Sequence, residues 1–248
     1  MDIENKVALI TGGANGIGAA TCLELASRGA DIAIVDIEQE SAEKMKTKIE
    51  AMGRKCAVIM ADLNTYEGAT NCVAEAAKAL GNVDVLVHCA GGVVLGGLMD
   101  LEPEKWVKAF DIHVHAVFYL SRGVVPLMKK RGEGAIVLIS SGGGLRGCKG
   151  AIAYGTAKGA LPQLARNLAR ELADDNIRVN AIAPGIIRTR FQNILTPEQA
   201  QNNIDNRIPL HREGQPEDAA QLIAMLVTNE FITGETIPLD GGMSMRMC

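Results

Sequence analysis

Tyr154 and Lys158 stand four residues apart in a helical pattern, so a phenol and an ammonium share one helix face. A phenol with a pKa near about 10 is a poor base at neutral pH, but an adjacent ammonium stabilises its phenolate and lowers that value. Taken alone, such a pair usually marks a wet helix face. Its weight here comes from Ser141, at the end of the fifth strand pattern, just beyond the apolar run Ala135–Ile139. In parallel sheets, ligands bind beyond the carboxyl ends of the strands.

A second constellation lies near the N-terminus. Val7–Ile10 runs into Thr11-Gly12-Gly13-Ala14-Asn15-Gly16-Ile17-Gly18 and then into a helical pattern. Glycines at 12, 16 and 18 allow a sharp turn and a close backbone approach to a pyrophosphate. The helix N-terminus adds N–H groups and a positive dipole end. Asp36 follows at the end of the second strand, where a carboxylate can hold the adenosine ribose hydroxyls. It would repel a 2′-phosphate, and neither Asn15 nor Ile37 supplies a cation to welcome one. NAD is therefore expected in preference to NADP. The competing reading is that Asp36 caps the next helix. Asp62, with Leu63 beside it, either meets the adenine or serves as a turn and cap residue.

The elements that must position these residues alternate. Strands are expected at Val7–Ile10, Ile32–Val35, Cys56–Met60, Val83–Val87, Ala135–Ile139, Arg178–Ala183 and Thr236–Leu239. Most are apolar on both faces, as in parallel strands sandwiched between helices. Helical patterns occupy Gly16–Arg28, Glu38–Met52, Tyr66–Leu80, Glu104–Lys130, Ala153–Ala173 and Pro216–Val227. The expectation is an α/β fold: one domain over residues 1–248, with a doubly wound parallel sheet of Rossmann type. Pro184–Gln215 lacks a clear strand and reads as a surface excursion or a lid.

Bulk properties narrow the partners. The 248 residues are 48% hydrophobic with net charge −4, so no basic field attracts nucleic acid or an anionic membrane. The N-terminus has no basic, apolar secretory pattern, and the apolar runs are too short to span a bilayer. Six cysteines are scattered without a C-x-x-C spacing, which suits a reducing cytoplasm and argues against zinc or any other metal.

Together these pieces resemble the short-chain dehydrogenase/reductase family along essentially the whole chain. The matching motifs are Thr11–Gly18, Ser141, Tyr154-Gly-Thr-Ala-Lys158, Asn180-Ala-Ile-Ala-Pro-Gly185 with Thr189, and Thr233-Gly-Glu followed by Asp240-Gly-Gly242. The resemblance implies that Tyr154 is the general acid/base, that Lys158 orients the nicotinamide ribose and lowers the tyrosine pKa, and that Ser141 bonds the substrate oxygen. It places Pro184, Gly185, Ile187 and Thr189 along the nicotinamide, and Ala90 and Gly91 on the cofactor.

Two departures from the family pattern stand out. His88-Cys89-Ala90-Gly91 replaces Asn-Asn-Ala-Gly, a segment expected to act mainly through its backbone. Trp106-Val-Lys-Ala-Phe-Asp-Ile-His113 ends in histidine where the family has the relay asparagine of its catalytic tetrad. His113 either takes over the relay, adding a pH dependence near its own pKa, or is a packed core histidine. His115 is expected to be structural or interfacial.

The pocket walls should be Gly92–Leu98, Gly142–Ala151 and the loop after Pro184. Val93, Gly143, Arg146, Arg188 and Arg190 are candidate substrate contacts, the arginines either holding an anion or remaining solvated. A sugar or cyclic polyol is the favoured substrate. A 3-oxoacyl thioester reductase and a non-catalytic NAD-binding sensor are the alternatives. Ala157, Ala160, Leu161, Leu164, Ala165 and Leu168 give the helix after Tyr154 more apolar surface than a sheet-facing stripe needs. A homotetramer is expected, with a dimer as runner-up. The tail Met243–Cys248 either joins a subunit contact or closes the pocket.

Overall fold

β-Branched and aliphatic runs that are apolar on both faces must be covered on both sides, and the chain does this with two helical layers. A computed structural model describes residues 1–190 and 195–245. Seven strands form a parallel sheet in the order β3-β2-β1-β4-β5-β6-β7. They are β1 (Val7–Thr11), β2 (Asp31–Asp36), β3 (Cys56–Met60), β4 (Val85–His88), β5 (Gly134–Ile139), β6 (Ile177–Pro184) and β7 (Thr236–Leu239). Each lies where its sequence pattern placed it, with ends shifted by a residue or two.

Alternate side chains feed two cores. In β1, Ala8 and Ile10 join one cluster and Leu9 the other. The first cluster is closed by α1 (Gly16–Ser27), α2 (Gln39–Ala51) and α9 (Pro216–Thr228), through Leu25, Ile49 and Ile223 among others. The second is closed by α3 (Tyr66–Leu80), α5 (Ala116–Arg131) and α7 (Ile152–Leu172), through Val73, Leu120 and Leu161. Strand order reverses between β1 and β4. The loops there diverge to opposite faces and open a crevice above the carboxyl ends, where the motifs converge.

The structure departs from the sequence pattern in three places. Glu104–Lys130 is not one regular helix: α4 (Pro103–Phe110) and α5 are joined by a π-helical turn, Asp111–His115. The N–H of Ala116 bonds the Asp111 carbonyl five residues back, which re-aims the side chains of this turn. Gly142–Arg146 forms a short helix, α6, capped by Ser141. The strandless interval after Pro184 contains α8 (Pro197–Asn202), begun by a reciprocal cap between Thr196 and Gln199. That interval is pinned at its ends, where Arg188 N–H bonds Gly214 O at 2.8 Å and Gly214 N–H bonds Ile186 O at 3.0 Å. Residues 191–194 of the expected lid, and 246–248 of the methionine-rich tail, lie outside the described residues. No helix among the described residues is long and apolar enough to cross a membrane.

Candidate active site

A cavity of about 1120 Å³ follows the crevice from the glycine turn to Tyr154. At one end, Gly18 lies so close under Gly12 that a Cβ there would sit 2.0 Å from the Gly12 carbonyl oxygen. Gly12, at φ +63°, passes the Ala90 backbone, which a Cβ there would approach to 2.9 Å. This contact brings the N-terminus of α1 against the turn. Asn15 precedes the helix without a side-chain cap, and its first turn holds no acidic residue. The donors and dipole of that end are therefore suited to an anion. A glycine cradle, an uncapped helix start and a carboxylate at the end of β2 fit a dinucleotide.

Asp36 takes the turn role weighed for it in the sequence, and it lines the cavity as well. Its Oδ2 accepts from Ala14 N–H at 2.9 Å, tying the glycine turn to β2. Its Oδ1 accepts from Ile37 N–H at 2.8 Å and Glu38 N–H at 3.0 Å, bracing the turn that leads into α2. A carboxylate has about four acceptor positions, so one remains for a ribose hydroxyl. Asp62 takes the turn role, accepting from the Asn64 backbone and side chain at 3.0 and 2.6 Å, while it and Leu63 line the cavity.

Glu38, two residues beyond Asp36, was not singled out in the sequence. It pairs with Arg190 at 3.0 Å and accepts from Asn15 Nδ2 at 3.1 Å. Arg190 thus lies at the glycine-turn end of the cavity, bound to a carboxylate. This long-range pairing left no local signal in the sequence.

At the other end, Ser141 accepts from Gly143 N–H at 3.1 Å and hydrogen-bonds Tyr154. Lys158 is 5% exposed and its Nζ donates to Ile139 O at 2.7 Å. Burial lowers the lysine to about 8. Burial also raises the Tyr154 phenol above its ordinary value, against the opposing Ser141 bond. Desolvation dominates at the phenol, and Lys158 Nζ stands 5.9 Å from the ring centre.

The two histidines of the departing motifs are both buried. His113 is 1% exposed, contacts Gly92 O through Nε2 at 3.0 Å and meets the Tyr154 ring edge-on at 5.6 Å. Because a carbonyl can only accept, Nε2 carries the proton and Nδ1 is an acceptor. Nδ1 has no hydrogen-bond partner among the described residues. Burial, aided by Lys158, pushes His113 down to about 2, so it stays neutral. The expected pH dependence near an ordinary histidine pKa does not follow.

His88 donates from Nε2 to Ile112 O in the π turn at 2.9 Å, and its Nδ1 accepts from Thr11 Oγ at 2.9 Å. Thr11 Oγ in turn accepts from Ala90 N–H. The segment therefore acts through a side chain as well as its backbone. His115 pairs with Asp111 at 2.9 Å on a half-exposed surface.

Asn15, Gly16, Ile17, Ala90, Gly91, Val93, Pro184, Gly185, Ile187 and Thr189 all line the cavity. Arg146 is exposed and outside the lining, Gly143 touches the site through its N–H on Ser141, and Arg188 is paired with Glu213 at 3.0 Å. Lys108 and Asp111, not singled out in the sequence, line the cavity beside His113.

A family model described as enoyl-(acyl carrier protein) reductase matches residues 12–244. Dehydrogenase/reductase SDR family member 4 of Oryctolagus cuniculus is 36% identical over 99% of this chain and 96% of its own length. An NAD+-bound xylitol dehydrogenase superposes with a TM-score of 0.90 at 29% identity, covering 98% of this chain and 100% of the other. The L-sorbose reductase of Gluconobacter frateurii, complexed with NADPH and L-sorbose, gives 0.92 at 30% identity with both chains fully covered.

Proposed function

Because this chain belongs to the short-chain dehydrogenase/reductase family, we propose that it is an NAD-dependent dehydrogenase interconverting a secondary alcohol and a ketone or lactone, on a sugar or cyclic polyol. The convergence of Ser141, Tyr154 and Lys158 beyond β5 carries this reading. A nicotinamide dinucleotide, when bound, supplies the hydride acceptor or donor. The chain supplies the rest. Ser141 holds the substrate oxygen while Tyr154 takes the hydroxyl proton in oxidation and returns it in reduction. Lys158, fixed on the β5 carbonyl, holds the nicotinamide ribose and offers a positive charge below about pH 8. His113 presents the Nδ1 acceptor beside this pair and takes the relay position. Positioning and preorganised donors supply most of the acceleration.

NAD is favoured over NADP because Asp36 and Glu38 place two carboxylates at the ribose end, and the cation there, Arg190, is already paired. The sugar or polyol assignment draws support from the xylitol and sorbose enzymes. We assign the protein to the cytoplasm, in keeping with five free cysteines among the described residues. Nucleic acid and membranes are not assigned as partners.

The test is the initial rate of NAD reduction over neutral sugars, polyols, anionic sugars and 3-hydroxyacyl thioesters, repeated with NADP and with Tyr154→Phe. Turnover with NAD on a polyol or sugar should fall about 10²–10⁴-fold in the variant, while NADH binding persists. Activity confined to NADP and thioesters would transfer the function to acyl thioester reduction. Undiminished turnover by the variant would remove Tyr154 from the chemistry.

A further inference from the structure

Helix α7 carries Tyr154 and Lys158, and one turn beyond the lysine it contains Pro162. A proline inside a helix has no N–H for the carbonyl four residues back, and its ring crowds that carbonyl. The carbonyl concerned belongs to Lys158. It is not left bare: Ser140 Oγ donates to it at 2.8 Å. Ser140 is 2% exposed, so bulk water does not compete for the contact. An unsatisfied acceptor at this depth would cost as much as a lost hydrogen bond or more.

This contact belongs to a longer seam. Ile139 O receives the Lys158 ammonium, Ser140 Oγ holds the Lys158 main chain, and Ser141 bonds the Tyr154 phenol. Three consecutive residues at the carboxyl end of β5 thus grip two residues one helical turn apart. Gly144 allows the seam to close, because a Cβ there would stand 2.7 Å from the Lys158 carbonyl carbon.

We propose that Pro162 and Ser140 act together as a positioning joint for the acid–base pair: the proline releases the Lys158 carbonyl from the helix and the serine hydroxyl captures it for the strand. An intrahelical bond at this point would be indifferent to how α7 sits on β5. The bond to Ser140 fixes the height and rotation of α7 against the strand end that presents Ser141. The proposal rests on the assignment of Tyr154 and Lys158 to the chemistry, and Ser140 is a positioning residue rather than a catalytic one.

A double-mutant cycle tests it. Ser140→Ala should lower kcat about tenfold with little change in KM, and should move the Lys158 titration midpoint read by NMR of Cε-labelled lysine. Pro162→Ala restores an N–H for the carbonyl, so Ser140→Ala should cost less than about threefold in that background. Ser140→Thr, which keeps the hydroxyl, should behave as the parent.

Equal losses from Ser140→Ala in both backgrounds would overturn the proposal. So would a lower Tm with kcat and the lysine midpoint unmoved, since a merely structural contact gives that result. If Ser140→Ala alone does not fold, the double variant must fold and keep the parental midpoint, and its failure also overturns the joint. The NMR cycle needs no substrate, so a parent protein without turnover would sink the functional reading and still decide this one.

Discussion

Histidine is an unusual occupant of a deeply buried, uncharged position, and this chain has two such residues, His88 and His113. Burial lowers them to about 4 and about 2 from an ordinary value of 6.5. The unfolded chain therefore binds more protons than the native one between those values and 6.5, and stability rises with pH across that window. The contribution is fully present above about pH 6.5 and is lost as pH falls, at up to about 1.4 kcal/mol per pH unit for each residue. Urea unfolding at pH 7.5 and 5.0 should show the acid loss, and His113→Asn should make it shallower. An unchanged slope would mean that His113 is protonated in the native state. Sequence identified His113 as a departure but left its role open, because a histidine's tautomer and charge depend on contacts such as Gly92 O that no spacing predicts.

At the scale of elements, the glycine turn and α1 succeed or fail as a unit. Gly18→Ala forces a Cβ to within 2.0 Å of the Gly12 oxygen, so α1 must lift away from the turn. We expect a loss of about 1–3 kcal/mol in thermal unfolding, with a fall in NADH affinity by fluorescence titration that exceeds the stability loss in proportion. The opposite wall carries the Glu38–Arg190 pair. Glu38→Gln removes one carboxylate and releases a guanidinium at the ribose end, so the NADP-to-NAD ratio of kcat/KM should rise several-fold, an effect that high salt should blunt. No change in that ratio would assign cofactor choice to Asp36 alone. Asp36 was legible because its distance from the glycines is set within one βαβ unit. Glu38 was not, because its partner is 152 residues away.

For the whole molecule, the apolar surface that the chain leaves uncovered bears on assembly. Ala157, Leu161 and Ala165 of α7 are consumed by the chain's own core, whereas Ala160, Leu164 and Leu168 stay half-buried in an i, i+4 stripe. Trp106, Val107 and Phe118 on α4 and α5 are exposed as well, and Phe231 is 100% exposed. Isolated exposed apolar residues are normal, but two such helix faces on one molecule favour association between copies. We expect a homotetramer in sedimentation velocity at micromolar concentration, with dimer as an intermediate. A Leu164→Glu or Phe118→Glu variant should shift it toward smaller species, and a monomeric parent would refute the expectation.

What the sequence determined by itself follows from short-range physics. Apolar runs that repeat within a strand and glycines that a single turn requires gave seven strands and the sheet's direction, and an i, i+4 pair on one helix pointed to Ser141, Tyr154 and Lys158 as the candidate set. The Thr196–Gln199 cap was equally local and could have been read in advance. Tertiary structure decided what depends on desolvation and on chance meetings across the fold. It set the raised Tyr154, the neutral histidines, the π turn between α4 and α5, and the pairing of Arg190 at the glycine-turn end. Burial and long-range partners are properties of the packed chain, and no local pattern carries their sign.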